Sequence, residues 1–313
     1  AFQPLGWWPA AFAAVFVLAL VVRQAPRLRS ALALGLAYGL SFNLVTLGWQ
    51  AQILVASYLG LAAIQAVYFA VLAGLLYAVR DLRWTPLASA ACWVLVEAVQ
   101  ARFPFGGFSW TRLGYTAVDT PLAGLYPLAG APVVSFAVAL VGHTAAWAVT
   151  SAPAARLRRA AIAGAVAVAV FLAGAAGTLV PGAPADAATI DVGWVQGGAS
   201  GEGFYGLGEA GQTTLNHAAQ TRTLMAQVAA GRYPSPAFIV WPENGTDSDP
   251  FVDATANKVL ADAVADAGVP ILVGVPTNGP EAGERQTTDL WWTNAGAVAR
   301  YDKRHLVPFG EWI

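Results

Sequence analysis

One cysteine, Cys92, is all the thiol in this 313-residue chain. That excludes an internal disulfide and any multi-cysteine metal site. The three histidines fall at no metal-ligand spacing, and no glycine-rich run has the form of a phosphate cradle. No Gly-x-Ser-x-Gly elbow is present, which removes support for a serine triad, and no basic patch suits nucleic acid. Charge itself is scarce. Only 11% of residues are Asp, Glu, Lys or Arg, against about 25% in soluble domains. Lysine occurs just twice, at 258 and 303, and methionine once, at 225.

Apolar residues fill the space that charge leaves. They make up 57% of the chain and gather in six runs at about 7–22, 31–49, 53–79, 85–100, 122–149 and 160–180. Most approach or exceed the roughly 20 residues a helix needs to cross the hydrocarbon core, so the chain reads as a multi-pass membrane protein. The near-neutral net charge of −1 conceals two unlike parts. Residues 1–180 hold 10 Arg and 3 acidic residues, whereas 181–313 hold 7 basic and 15 acidic ones.

Orientation follows from the arginines. Arg23, Arg27 and Arg29 follow the first run, Arg80 and Arg83 the third, and Arg156, Arg158 and Arg159 the fifth. The alternate connections carry only Arg102 and Arg112, and eight against two makes the first set cytoplasmic. The domain from about residue 181 is then expected outside the cytoplasm. Ala1 would lie outside as well, which suggests a preceding span and a chain cut at both ends. A signal peptide is not indicated, because the positive charges follow the first apolar run instead of preceding it.

Two features of the membrane part stand out. The connection 101–121 carries Phe103, Phe105, Phe108, Trp110 and Tyr115, residues that settle at headgroup depth as an interfacial belt or line a lipid groove. Glu97 is the one acidic residue inside a predicted span, where an ionised group costs roughly 2.5–3.5 kcal/mol unless it is partnered. Arg102 or Arg112 is its expected partner.

Beyond Pro181 the pattern changes to strands alternating with helices. Strands are predicted at 189–196, 237–241 and 270–276, helices at 207–230 and 251–267, and a hairpin over 290–301 around Asn294-Ala295-Gly296. Such alternation argues for a layered α/β domain with its functional groups at strand ends. Glu243 follows the strand AFIVW, and Lys303 follows the hairpin. Glu243 alone reads as a solvated turn residue and Lys303 alone as a surface charge. Together, a glutamate and a lysine from two strand ends are two thirds of a Glu-Lys-Cys acyl-transfer site. Cys92 lies far upstream in an apolar, helix-like run, so the nucleophile is expected beyond Ile313.

The motifs WPEN at 241–244 and YDKRHLVPFGEW at 301–312 resemble the nitrilase-type domain of bacterial apolipoprotein N-acyltransferases. AYGLSFNLVTLGW at 37–49 and GGFSWTRLGYTAVDTPLAGLYPLAG at 106–130 are similar to segments of that family's membrane bundle. The resemblance implies an α-helical transmembrane bundle over 1–180, then a nitrilase-like αββα sandwich over 181–313, C-terminally incomplete and extracytoplasmic at the bacterial inner membrane. By matching position Glu243 would be the general base, Lys303 the cation that stabilises the oxyanion, and Glu311 a supporting acid. The family's cysteine would lie further along the domain, so the piece itself would be inactive. The implied reaction moves an acyl group from a phospholipid donor, through a cysteine thioester, to the amine of a diacylglyceryl-apolipoprotein, with no cofactor or metal. Two other readings stay open: a membrane-tethered amidase of the nitrilase superfamily, and a catalytically silent scaffold for a membrane glycosyltransferase.

Overall fold

The computed structural model describes residues 1–3, 5–180, 187–198 and 209–307. It divides into two compact units, Ala1–Pro184 and Ala185–Ile313.

The first unit is helical. Its main elements are α1 (Pro9–Arg23), α2 (Leu28–Thr46), α3 (Val55–Val79), α4 (Thr85–Gln100), the single turn α5 (Tyr126–Ala129), α6 (Ala131–Val149) and α7 (Pro153–Thr178). Each of the six apolar runs holds a helix. Four of them, α2, α3, α6 and α7, are long and apolar enough to cross a membrane, whereas α1 and α4 have 15 and 16 residues. The run 122–149 is not one helix. Pro121–Leu125 forms a 3₁₀ turn, α5 follows, and Gly130 at φ 67° breaks the chain before α6. A side chain at that φ is strained, so the glycine lets the backbone turn there.

Small residues bring the helices close. A Cβ on Gly39 of α2 would meet the Phe69 Cβ at 2.6 Å and the Ala66 Cα at 2.9 Å, so α2 and α3 pack almost backbone to backbone. The buried core of the bundle includes Val15, Leu18, Leu72, Trp93, Leu122 and Val138.

Arginines gather where α1, α3 and α6 end. Arg23 donates to Thr150 Oγ1 (2.9 Å) and to the Arg80 carbonyl (3.1 Å), Arg80 donates to the Ala25 carbonyl (2.9 Å), and Arg159 stands 4.3 Å over the Trp147 ring. The aromatic connection 101–121 meets the turn after α2 elsewhere in the bundle: the Trp110 ring lies 5.3 Å from Trp49 and 4.8 Å from Phe108. Of the two arginines expected to partner Glu97, Arg112 is the one whose charge reaches it. Glu97 Oε1 accepts from the Trp93 indole (3.0 Å) and the Leu113 amide (2.8 Å), while Arg102 turns back to the Ala98 carbonyl. The indole and the amide thus satisfy the buried carboxylate oxygen directly, and the Arg112 charge adds to them.

Among the described residues the second unit is a five-stranded mixed sheet with two helices. Strands β1 (Val192–Trp194), β2 (Phe238–Trp241), β3 (Ile271–Asn278), β4 (Arg285–Thr293) and β5 (Gly296–Asp302) lie in sequence order, parallel from β1 to β3 and antiparallel from β3 to β5. Helices α8 (Gln212–Ala229) and α9 (Ala254–Ala267) provide the crossovers. Helix α9 begins at Asp253, whose carboxylate accepts from the Thr255 and Ala256 amides, and stops at Gly268 with φ 68°.

Ile239, Trp241, Ile271, Val273, Val275, Leu290 and Trp292 alternate onto one face of the sheet and pack with Leu260 and Val264 of α9. The first strand is shorter than its apolar run, and β3 runs on past Pro276, which the sequence reading takes as its stop. Proline is tolerated there because β2 pairs with β3 only from Ile271 to Val273. Beyond that point β3 is an edge on that side, where an absent N–H costs no ladder bond.

Candidate functional site

Strand β2 delivers Glu243. Trp241, its last residue, is fully buried, donates its indole N–H to Thr221 Oγ1 of α8 at 2.9 Å, and lies 5.5 Å from the His217 ring. Pro242 then ends the strand. The Gly245 amide bonds back to the Pro242 carbonyl (2.9 Å) and Asn244 takes φ 57°, a left-handed conformation that asparagine tolerates better than most residues. This tight turn presses on β3. A Cβ at Gly274 would lie 2.7 Å from Glu243 Cα and 2.8 Å from the Pro242 oxygen, and the Thr246 amide reaches the Gly274 carbonyl at 3.3 Å. Asp247, just beyond, accepts from Thr214 of α8 at 2.7 Å. The glutamate is thus held on a turn fixed from two sides.

Lysine 303 arrives from the other end of the sheet. It directly follows β5, and its amide donates to the Thr287 carbonyl of β4 at 2.9 Å. Its Nζ donates to Glu243 Oε1 at 2.8 Å, across 60 residues of sequence. The lysine side chain is 27% exposed and the glutamate 52%. An ion pair so open to water contributes only about 0–1 kcal/mol to stability, so fold maintenance is a weak reason for its presence. Arg304, the next residue, points elsewhere, with its guanidinium 6.0 Å from the Tyr301 ring. Glu311 lies outside the described residues.

Asp289 is the site residue that the sequence reading misses. On β4 it stands in register with Gly274 of β3 and Tyr301 of β5. It therefore lies between the glycine beneath Glu243 and the strand end that leads into Lys303. Asp289 is exposed, but partial desolvation and the Glu243 charge push its carboxyl above the usual carboxylate range, and the Lys303 charge opposes them. A signal was present: an aspartate inside TTDLWWT is out of place in a strand of β-branched and aromatic residues.

Cys92 belongs to the other unit, where it packs against the core of the bundle. That bundle encloses an open cavity of about 330 Å³, lined by Tyr38, Phe42, Phe69, Trp93, Val96 and Glu97 among others. Among the described residues no three His, Cys, Asp or Glu side chains are gathered to hold a metal ion. Chemically, the Glu243–Lys303 pair offers a proton acceptor beside a fixed cation.

Comparison with known proteins covers both units. Residues 1–144 match the family model described as the apolipoprotein N-acyltransferase N-terminal domain. The whole chain is 32% identical to the apolipoprotein N-acyltransferase of Mycolicibacterium smegmatis, covering 56% of that protein. It is 31% identical over its full length to that of Ralstonia nicotianae, covering 60% of it, and 30% identical over 99% of its length to that of Azotobacter vinelandii, covering 61%. The chain therefore spans a little under two thirds of the length of the curated relatives it matches.

Proposed function

We propose, from the premise that this chain belongs to the apolipoprotein N-acyltransferase family, that it forms the membrane bundle and part of the catalytic domain of an enzyme transferring a fatty acyl group from a phospholipid to the terminal amine of a diacylglyceryl-apolipoprotein. The observation that carries this reading is the 2.8 Å contact between Lys303 Nζ and Glu243 Oε1, made by two residues on separate strand ends. In this reading the sheet and its two helices are part of a nitrilase-like sandwich. Residues 1–180 are its membrane part, with 181–313 on the extracytoplasmic side of the inner membrane, as the eight-to-two arginine asymmetry favours.

The nucleophile is a cysteine outside this chain. Glu243 takes the thiol proton, and the thiolate attacks the ester carbonyl of the phospholipid. Positioned proton transfer of this kind contributes about 10²–10⁴-fold. The carbonyl oxygen gains negative charge as the tetrahedral intermediate forms, and the Lys303 ammonium lies where it can stabilise that charge. Collapse of the intermediate leaves an acyl thioester, and the lysophospholipid alkoxide leaves with the proton held by Glu243. The apolipoprotein amine then attacks the thioester, the amide forms, and the thiol is regenerated with a proton from the amine. Glu311 supports the acid–base pair. The apolar cavity of the bundle suits the chains of a lipid substrate.

The test uses the longer protein that carries the cysteine. After incubation with phospholipid, thioester-linked protein is counted by mass spectrometry. Glu243→Gln should form none, Lys303→Met should lose on the order of 10²–10³-fold, and Arg304→Met should match wild type. Wild-type thioester in Glu243→Gln, or equal losses at 303 and 304, would place the chemistry on other residues.

A further inference from the structure

Of the eight arginines that share one end of the apolar runs, the fold gathers four at a single corner of the bundle. Arg23, at the end of α1, donates from Nε to Thr150 Oγ1 and from one Nη to the carbonyl of Arg80, the residue that caps α3. The next residue along, Ser151, receives two arginines from the start of α7. Arg159 donates to its hydroxyl at 3.1 Å and Arg156 to its carbonyl at 3.4 Å. The charges of Arg80 and Arg159 both reach Arg23. Against these four cations stands one acid, Asp81, which lies exposed beside Arg80.

We propose that this corner binds the phosphate of an anionic phospholipid headgroup. Like charges brought this close repel one another, and an anion among them turns that repulsion into attraction. Donors remain for it. The hydrogen bonds at the corner engage Nε and one Nη of Arg23 and of Arg80, which leaves the second Nη of each, and among the described residues Arg159 Nε is buried with no partner. Helix α7 adds its own field to theirs. Its cap residue, Ala152, has no side-chain group to accept from the first amides, and its first turn holds no acid. The positive end of a 26-residue helix therefore points into the cluster, where an anion is the stabilising neighbour.

The surroundings favour a lipid over a soluble anion. Leu157 is 84% exposed between Arg156 and Arg158, and Leu82 and Trp84 stand exposed just after Arg80. Open apolar side chains beside cations mark headgroup depth, where a lipid offers its phosphate and its chains together. Aromatic faces carry two of the guanidinium planes, Arg80 at 3.7 Å over Tyr77 and Arg159 at 4.3 Å over Trp147. A guanidinium held flat in this way keeps its N–H fork in one plane, the geometry that suits phosphate oxygens. A zwitterionic lipid would bring its own ammonium into the excess of positive charge, so the occupant is an anionic one. The site owes nothing to the Glu243–Lys303 chemistry and is the same whichever side of the membrane it faces.

The test titrates the whole chain, in nonionic detergent, with phosphatidylglycerol or with phosphatidylcholine of the same chains, and counts bound lipid by native mass spectrometry. Wild type should retain one phosphatidylglycerol in preference to phosphatidylcholine. Arg23→Gln combined with Arg159→Gln should weaken that binding roughly 30-fold, about fivefold for each arginine at a headgroup. Arg27→Gln combined with Arg29→Gln removes two exposed charges from the same end of the bundle but from outside the corner, and should lose much less. Far-UV circular dichroism checks folding. If the first double variant does not fold, two exposed positions decide: Arg156→Glu should weaken binding and Asp81→Asn should strengthen it, and no change in either would overturn the proposal. Equal retention of the two lipids by wild type, or equal losses from the two double variants, would overturn it as well. Inorganic phosphate at matched ionic strength should leave the lipid bound. Displacement by it would make this a site for free phosphate and refute the lipid assignment.

Discussion

Gly274→Ala puts the geometry of the site under the most direct strain. The added Cβ would meet Glu243 Cα at 2.7 Å, the Pro242 oxygen at 2.8 Å and the Glu243 nitrogen at 3.0 Å. Carbon atoms in contact rest about 3.5–4.0 Å apart, so the turn must retreat by at least ~0.8 Å. All three obstructing atoms are backbone, and no rotamer change can relieve them. Overpacking of this kind costs about 1–3 kcal/mol, which leaves most domains folded. The larger effect falls on the site. Glu243 leaves its place against Lys303 by a distance comparable with the slack in a hydrogen bond, and misplacement of a catalytic group by ~1 Å can cost 10²-fold. Acyl-enzyme formation in the longer protein should fall by about 10–100-fold, and the Lys303 Nζ resonance should move from its wild-type position as the 2.8 Å contact with Glu243 loosens. Gly60→Ala on α3 is the control, because its Cβ would meet nothing within 4 Å. A Gly274→Ala enzyme with wild-type acylation and an unmoved Lys303 resonance would refute the claim that this glycine seats the glutamate.

Two further outcomes are expected. Burial holds the His217 imidazole below the ordinary histidine range, so the unfolded chain takes up a proton before the folded one does. Stability of the second unit should be flat above about pH 6.5 and fall as pH drops below it, and in His217→Asn that histidine-dependent part of the fall should disappear from thermal melts. For topology, single cysteines at Ala152 and Ala261, both exposed, go into a Cys92→Ala background. An impermeant maleimide applied to intact cells should label Ala261→Cys and not Ala152→Cys, and the reverse pattern would put the second unit in the cytoplasm.

Much of the fold could be read from the sequence where one physical signal dominated. Helices α2, α3 and α7 announce themselves because an uncharged run of such length has few other uses, and β2 ends where Pro242 removes the next donor. The hairpin at Asn294-Ala295 was legible from turn chemistry. Signals failed where two rules competed. Pro276 reads as a strand end, but an edge position neutralises its missing N–H, so β3 and β4 extend well past the predicted limits. Glu97 called for an arginine on charge grounds, and besides the Arg112 charge the fold supplies an indole and a backbone amide that no local pattern reveals. Glu243 and Lys303 were legible as residue types in distinctive surroundings. Their 2.8 Å contact was not, because it depends on how five strands are ordered. Asp289 was missed for a related reason: its importance comes entirely from the residues across from it.

Helix α7 shows what very small contacts can do. Within its 26 residues only Gly174 is buried, and it rests with Gly177 against Gly124 and the Pro121–Leu122 backbone. The rest of its attachment comes from a few side chains, among them Phe171, whose ring lies 5.9 Å from Trp8 and 5.8 Å from Phe12, and most of its surface stays open. Because the second unit follows this helix in the chain, one methyl group at Gly174, 2.5 Å from the Pro121 oxygen and 2.9 Å from the Leu122 Cα, would press outward the helix that leads into it.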